Sequence, residues 1–261
     1  FTECLELFAK TVQSVKLEGI HSTGVLSTQK FPHFPRLEKL HVEECSSSVL
    51  IPFKKLKTLS ALKLGFIIFL GKQLDQIVPP FVCGLKNLTV LDISPTSADD
   101  LFCKDIATFV KFHLKSFSVG QPGGIKAQMN VKEFLKSQGN SLEYVKFSLW
   151  DDTTTLFEIW SSMKVMKEFF QSDGFRELKF EEDSRQLIKN ESIKKLHFHF
   201  TSPQISMNWI STLIASSPNL DELQIPNKTV AALVEYFPGD KIGASIRSCF
   251  MNCDGDSDVD E

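Results

Sequence analysis

Three apolar residues at spacing i, i+3, i+5 recur nine times along the chain, and no other feature restricts its fold as much. The copies are Val12-Val15-Leu17, Leu37-Leu40-Val42, Leu59-Leu62-Leu64, Leu88-Leu91-Ile93, Leu114-Phe117-Val119, Leu142-Val145-Phe147, Phe175-Leu178-Phe180, Ile193-Leu196-Phe198 and Leu220-Leu223-Ile225. Successive copies begin 25, 22, 29, 26, 28, 33, 18 and 27 residues apart. In each copy the last two apolar residues share one face of a short strand, while the residue between them faces the other way. One such strand cannot bury its apolar face alone. The units must therefore stack, with strands paired in parallel and connecting segments, often helices, covering the apolar side.

Apart from the 33- and 18-residue intervals, these spacings fall in the period range of leucine-rich repeats. The expected fold is an α/β leucine-rich-repeat solenoid of about nine irregular repeats, with a curved parallel sheet on the concave side and helices on the convex side. With 261 residues, 42% of them hydrophobic, the chain is long and apolar enough for a continuous core. One solenoid domain over residues 1–250 is expected, followed by an acidic tail at 251–261 that carries Asp254, Asp256, Asp258, Asp260 and Glu261. The alternating aspartates resemble the start of a calcium loop, but the chain has no twelfth-position Glu and no second helix there. A disordered, solubilising tail is the simpler reading.

Helices are placed by periodicity and caps. Glu3 to Thr11 reads as a short amphipathic helix, and Ser97 to Phe112 as a helix capped by Ser97 with Asp99 and Asp100 at its positive end. Gln73 to Val78 reads as a helical turn stopped by Pro79-Pro80, and Val131 to Ser137 as a helix ended by Gly139. The longest helix is expected at Thr155 to Gln171, where Leu156, Ile159, Trp160, Met163, Met166, Phe169 and Phe170 follow helical spacing. This insertion would account for the 33-residue interval. Ile205 to Ser216 and Thr229 to Phe237 are the remaining helices, with Ile242 to Phe250 as an end cap.

The net charge is −3 and the pI about 6.1, so there is no global basic field for nucleic acid or an anionic membrane. No stretch approaches the ~20 apolar residues that span a bilayer. Cys4, Cys45, Cys83, Cys103, Cys249 and Cys253 lack a framework spacing and read as free thiols of a reducing compartment, which places the protein in the cytoplasm or nucleus. The glycosylation triplets at Asn87, Asn190 and Asn227 are then chance matches. The chain begins at Phe1 rather than Met and is expected to be a fragment or processed product.

Catalytic signatures are missing: there is no G-x-S-x-G, no H-E-x-x-H and no paired C-x-x-C. In the loop Gly120 to Ala127, Ile125 stands where a phosphate loop needs Gly, and Ala127 where it needs Ser or Thr. His197 and His199 share a strand face and could make half a zinc site. Without other ligands at suitable spacing they read as surface histidines flanking Phe198. A non-catalytic interaction module without metal or cofactor is therefore expected.

Across the repeats, the middle outward column runs Lys16, His41, Lys63, Asp92, Ser118, Lys146, Lys179, His197, Gln224. With parallel strands about 4.8 Å apart, these side chains would form a mostly basic ladder. The expected partner surface is Lys16, His41, Lys63, Lys146, Lys179 and His197, receiving a protein or an acidic or phosphorylated peptide. Glu18, Glu43, Glu177 and Glu181 stand close enough to neutralise part of it.

The segments P-R-L-E-K-L-H-V-E-E-C (Pro35 to Cys45), S-P-N-L-D-E-L-Q-I (Ser217 to Ile225) and N-V-K-E-F-L-K-S-Q-G-N-S-L-E-Y-V-K-F (Asn130 to Phe147) resemble the irregular repeats of F-box leucine-rich-repeat proteins. The resemblance runs from Val12 to Phe237 and is shared in pattern with the helical repeats of innate immune receptors. It implies a substrate receptor of a Skp1-cullin ubiquitin ligase, with catalysis by other subunits and adaptor binding through an F-box upstream of Phe1. The immune resemblance implies instead a ligand-sensing repeat domain, and a non-catalytic scaffold is the third reading. No site residue carries over from either family.

Overall fold

The computed structural model describes residues 8–20, 32–65, 74–93, 104–106, 112–120, 125–148, 153–172, 189–199 and 207–225. They belong to two compact units, Phe1–Leu142 and Glu143–Glu261. The expected strand at Phe175 to Phe180, the helices at Thr229 to Phe237 and Ile242 to Phe250, and the acidic tail lie outside the described residues, as does all but the end of the Glu3 to Thr11 helix.

In the first unit β1 (Ser14–Glu18), β2 (Lys39–Glu43), β3 (Ala61–Gly65), β4 (Val90–Ile93) and β5 (Ser116–Val119) pair in parallel, each with the next in the chain. A 3₁₀ helix, Ser47–Phe53, links β2 to β3, α1 (Leu74–Gly84) links β3 to β4, and α2 (Ile125–Ser137) follows β5. In the second unit β6 (Tyr144–Ser148), β7 (Glu168–Ser172), β8 (Lys195–His199) and β9 (Glu222–Gln224) pair in the same way. Here α3 (Thr153–Ser162) precedes β7, and α4 (Met207–Ala215) precedes β9. The chain is thus α/β with parallel strands in chain order, as the triplet spacing predicts.

The register converts the triplets into apolar rows. Leu40, Leu62, Leu91 and Phe117 are partners across β2 to β5, and Val145, Phe169, Leu196 and Leu223 across β6 to β9; all eight are buried. Edge-to-face rings thicken this core in both units. Phe117 meets Phe134 of α2 with centroids 5.0 Å apart, and Phe169 meets both Phe147 at 4.9 Å and Trp160 of α3 at 5.3 Å.

Most of the described strands start from a forked hydrogen bond. One carbonyl accepts two successive N–H groups of the next strand's start: Glu38 O from Ser60 and Ala61, Ser60 O from Thr89 and Val90, and Thr89 O from Lys115 and Ser116. In the second unit Glu143 O accepts from Lys167 and Glu168, Lys167 O from Lys194 and Lys195, and Lys194 O from Asp221 and Glu222. Polar side chains immediately before a triplet add a second link. Thr58 Oγ1 donates to Leu37 O at 2.7 Å and Ser192 Oγ to Met166 O at 2.9 Å, while the longer Asn87 and Asn219 reach Lys57 O and Glu191 O at 2.6 and 2.9 Å.

Three helix expectations need correction. The chain from Thr155 to Gln171 is not one helix: α3 ends at Ser162 and β7 begins at Glu168. Ser161 and Ser162 turn their hydroxyls onto Glu158 O and Ile159 O at 2.9 and 2.7 Å, a local competition that suits a helix end, and Phe169 then fills the slot between Phe147 and Trp160. Pro79-Pro80 does not stop α1 but lies inside it. An interior Pro costs roughly 3 kcal/mol, and burying Val78, Phe81 and Val82 returns roughly 1.5–3 kcal/mol for each side chain, so packing overrides propensity. Finally, α2 starts at Ile125, not Val131, because Ala127 and Val131 are buried on the same side as Phe134 and Leu135. Of the expected Ser97 to Phe112 helix, residues 104–106 are helical and most of the rest lies outside the described residues.

Candidate functional site

The period of two that buries Leu40 and Val42 turns Lys39, His41 and Glu43 to the opposite face of β2, and the same holds along each unit. The register aligns Lys16, His41, Lys63 and Asp92 in one row, with Asp92 opposite Ser118. In the second unit Lys146, Phe170, His197 and Gln224 form the row. Lys179 lies outside the described residues, as do Glu177 and Glu181, and the place expected for Lys179 between Lys146 and His197 is held by Phe170.

The first unit's face is not uniformly basic. Lys16 Nζ lies 2.6 Å from Glu18 and 3.5 Å from Glu43. The hydrogen bond to Glu18 holds the Lys16 ammonium above its ordinary value and the Glu18 carboxyl below its own. His41 Nε2 is 3.2 Å from Glu43 but without hydrogen-bond alignment. Burial, with the neighbouring Lys63 charge, pushes the His41 imidazolium down despite that carboxylate. Half-exposed pairs of this kind contribute about 0–1 kcal/mol.

The second unit's face is built around an aromatic. Phe170, half-buried, carries the Lys146 ammonium 4.7 Å from its ring centroid, and His197 stacks on it at 6.1 Å with planes 23° apart. A cation over a ring contributes about 0.5–1 kcal/mol when exposed. His197 is not the surface histidine expected: the residue is 9% exposed. Its Nδ1 is 2.8 Å from Gln224 Oε1, and its Nε2 lies 3.3 Å from Glu168 and 4.0 Å from Glu222 without a hydrogen bond. Lys195 binds Glu222 at 2.6 Å, which lowers the Glu222 carboxyl and raises the Lys195 ammonium. Lys146 makes no ion pair with any described carboxylate.

Elsewhere, a surface cleft of ≈ 560 Å³ is lined by Gln13, Pro35, Arg36, Glu38, Thr58 and Ser60. Cys45 is buried, accepting from Ile20 N and donating to Glu43 O, and burial pushes the Cys83 thiol up to about 11. Both are free thiols. No group of three His, Cys, Asp or Glu side chains gathers at metal-holding distance among the described residues, where no helix is long and apolar enough to cross a membrane. Asn190 is buried and bonded, its Nδ2 donating to Trp160 O and Met163 O and its Oδ1 accepting from Ser192, so in the folded chain it is not presented for glycosylation.

Phe170 was missed in the sequence because Met163, Met166, Phe169 and Phe170 continue the helical spacing of α3, and because Gln171 sits where the other triplets end in an apolar residue. The recoverable signal is the interval: Met166 follows Leu142 by 24 residues and precedes Ile193 by 27, in step with the other copies. The chain matches no protein-family model and no curated protein.

Proposed function

We propose that the chain is a non-catalytic protein-recognition module built of leucine-rich-type repeats, whose outward strand face receives a partner protein. The observation that carries this reading is the contrast between the two faces of the strands. The inward rows repeat the same apolar chemistry, and the strand starts repeat the same forked carbonyl, whereas the outward row changes at every strand. A scaffold that keeps one side constant and varies the other is suited to presenting a surface rather than assembling a reaction centre.

In its most specific form, the module is the substrate-recognition part of an F-box-type ubiquitin-ligase receptor, with other subunits performing catalysis. The likeness of Pro35 to Cys45, Asn130 to Phe147 and Ser217 to Ile225 to that family's repeats supports this form. Affinity purification of the full-length protein followed by mass spectrometry tests it. Recovery of Skp1 and a cullin is the expected result; failure to recover either, under conditions that recover known receptors, removes the ligase reading and leaves the recognition module.

A further inference from the structure

On the second unit's face most of the charge is already used. Glu222 is held by Lys195, Glu168 faces His197, and off the central row Lys167 binds Glu143 and Lys194 approaches Asp221. Lys146 is the exception, since its ammonium rests against the Phe170 ring and meets no described carboxylate. The ring is fixed from the β8 side by His197, which is itself held by Gln224. A cation and an aromatic edge are therefore presented together, half-buried, in the row where a partner would lie. Aromatic anchors beside a charge that finds its counterion only in the complex are the usual makings of an interface hot spot.

Resting on the recognition reading above, we propose that Lys146 and Phe170 form the anchor for an acidic peptide segment of a partner protein, one carboxylate meeting Lys146 and an adjacent apolar side chain packing on the Phe170 edge. A carboxylate suits this site better than a phosphate. Phosphate carries nearly two charges and seeks several donors, often Arg, whereas here a single Lys is on offer and Glu168 and Glu222 line the neighbouring row. The carboxylate's single charge needs one cation and suffers less repulsion from them.

A positional-scanning array of short random peptides, probed with the labelled chain, reads this directly. Retained peptides should be enriched in Asp or Glu next to Leu, Ile, Met or Phe, and exchange of the acid for its amide should weaken binding at least tenfold. Lys146→Gln and Phe170→Ala should each weaken it at least tenfold with circular dichroism unchanged, while Lys86→Gln, at an exposed position of the other unit outside the outward rows, leaves it within about twofold. Phosphoserine that binds as tightly as Glu, or acid preference that survives Lys146→Gln, overturns the anchor. Peptide binding without acid preference overturns the anchor but leaves the recognition reading, and retention of no peptide counts against both.

Discussion

The first unit's outward face is tied together by carboxylates, with Glu18 and Glu43 closing on Lys16 and Glu43 on His41, whereas the second's is tied together by a ring, with Lys146 and His197 on either side of Phe170. Inward, the two units are alike: aliphatic rows crossed by edge-to-face phenylalanines. Equivalent register positions are mostly apolar where water is excluded, Gln171 apart, and differ from strand to strand on the outward face. The first arrangement closes two carboxylates on Lys16; the second seats Lys146 on a ring, with no described carboxylate paired to it.

Substitutions of the inward rings should show the largest effects and test how alike the two cores are. Phe169→Ala removes a ring that touches two others, and Phe117→Ala one that touches a single neighbour. We expect about 4–5 kcal/mol and about 3–4 kcal/mol of lost stability in urea unfolding; equal losses would mean that the second ring contact adds nothing. One residue along from Phe169, Phe170→Ala should cost below about 1 kcal/mol, since it removes mainly a half-buried ring and a cation contact.

Buried amides extend the comparison. Asn190 in the second unit makes two donor bonds and accepts from Ser192, while the Gln138 side chain of the first accepts from Leu114 N at 2.9 Å and from Ser141 Oγ at 3.4 Å. Asn190→Ala should destabilise by roughly 2–3 kcal/mol and Gln138→Ala by roughly 1–2 kcal/mol, each through backbone groups left unpaired. Hydrogen exchange at the amides of Ser192 and Leu114 would place each loss in its own unit.

The smallest effect is on pH dependence. Because His41 is held below its ordinary value of 6.5, the folded chain binds fewer protons there than the unfolded chain. Stability should therefore fall as pH drops from just above 6.5 and stop falling, for this group, once the folded imidazole also titrates. His41→Gln should flatten the curve of Tm against pH across that window. An unchanged curve would show that the Glu43 contact offsets burial fully. Glu222 acts lower, its contribution being present above the ordinary carboxylate value of 4.5 and lost on further acidification.

What the sequence made legible follows from the period of two. Once Leu40 and Val42 are assigned inward, His41 must face outward, and the neighbouring triplets set Lys16, Lys63, Asp92 and Ser118 beside it without further information. The same logic placed Lys146, His197 and Gln224. It failed at β7, where Gln171 is fully buried in an apolar row and Met166, Phe169 and Phe170 fit a helix as well as a strand. Short apolar runs carry that ambiguity intrinsically, and it is resolved by Phe147 and Trp160, which are distant in sequence. Side-chain pairing on the outward face was only partly legible. The proximity of Glu18 and Glu43 to the lysines follows from spacing, but the burial of His197 and the seating of Lys146 on Phe170 depend on the true register of β7.

The boundary at Leu142 and Glu143 also divides the chain optically. All three tryptophans, Trp150, Trp160 and Trp209, and both tyrosines, Tyr144 and Tyr236, belong to the second unit, so the first absorbs near-ultraviolet light almost only through phenylalanine. Indole emission thus follows one half of the molecule, while far-ultraviolet dichroism follows both. Coincident denaturation curves from the two signals would mark a single cooperative block, and separated curves two blocks that melt in turn.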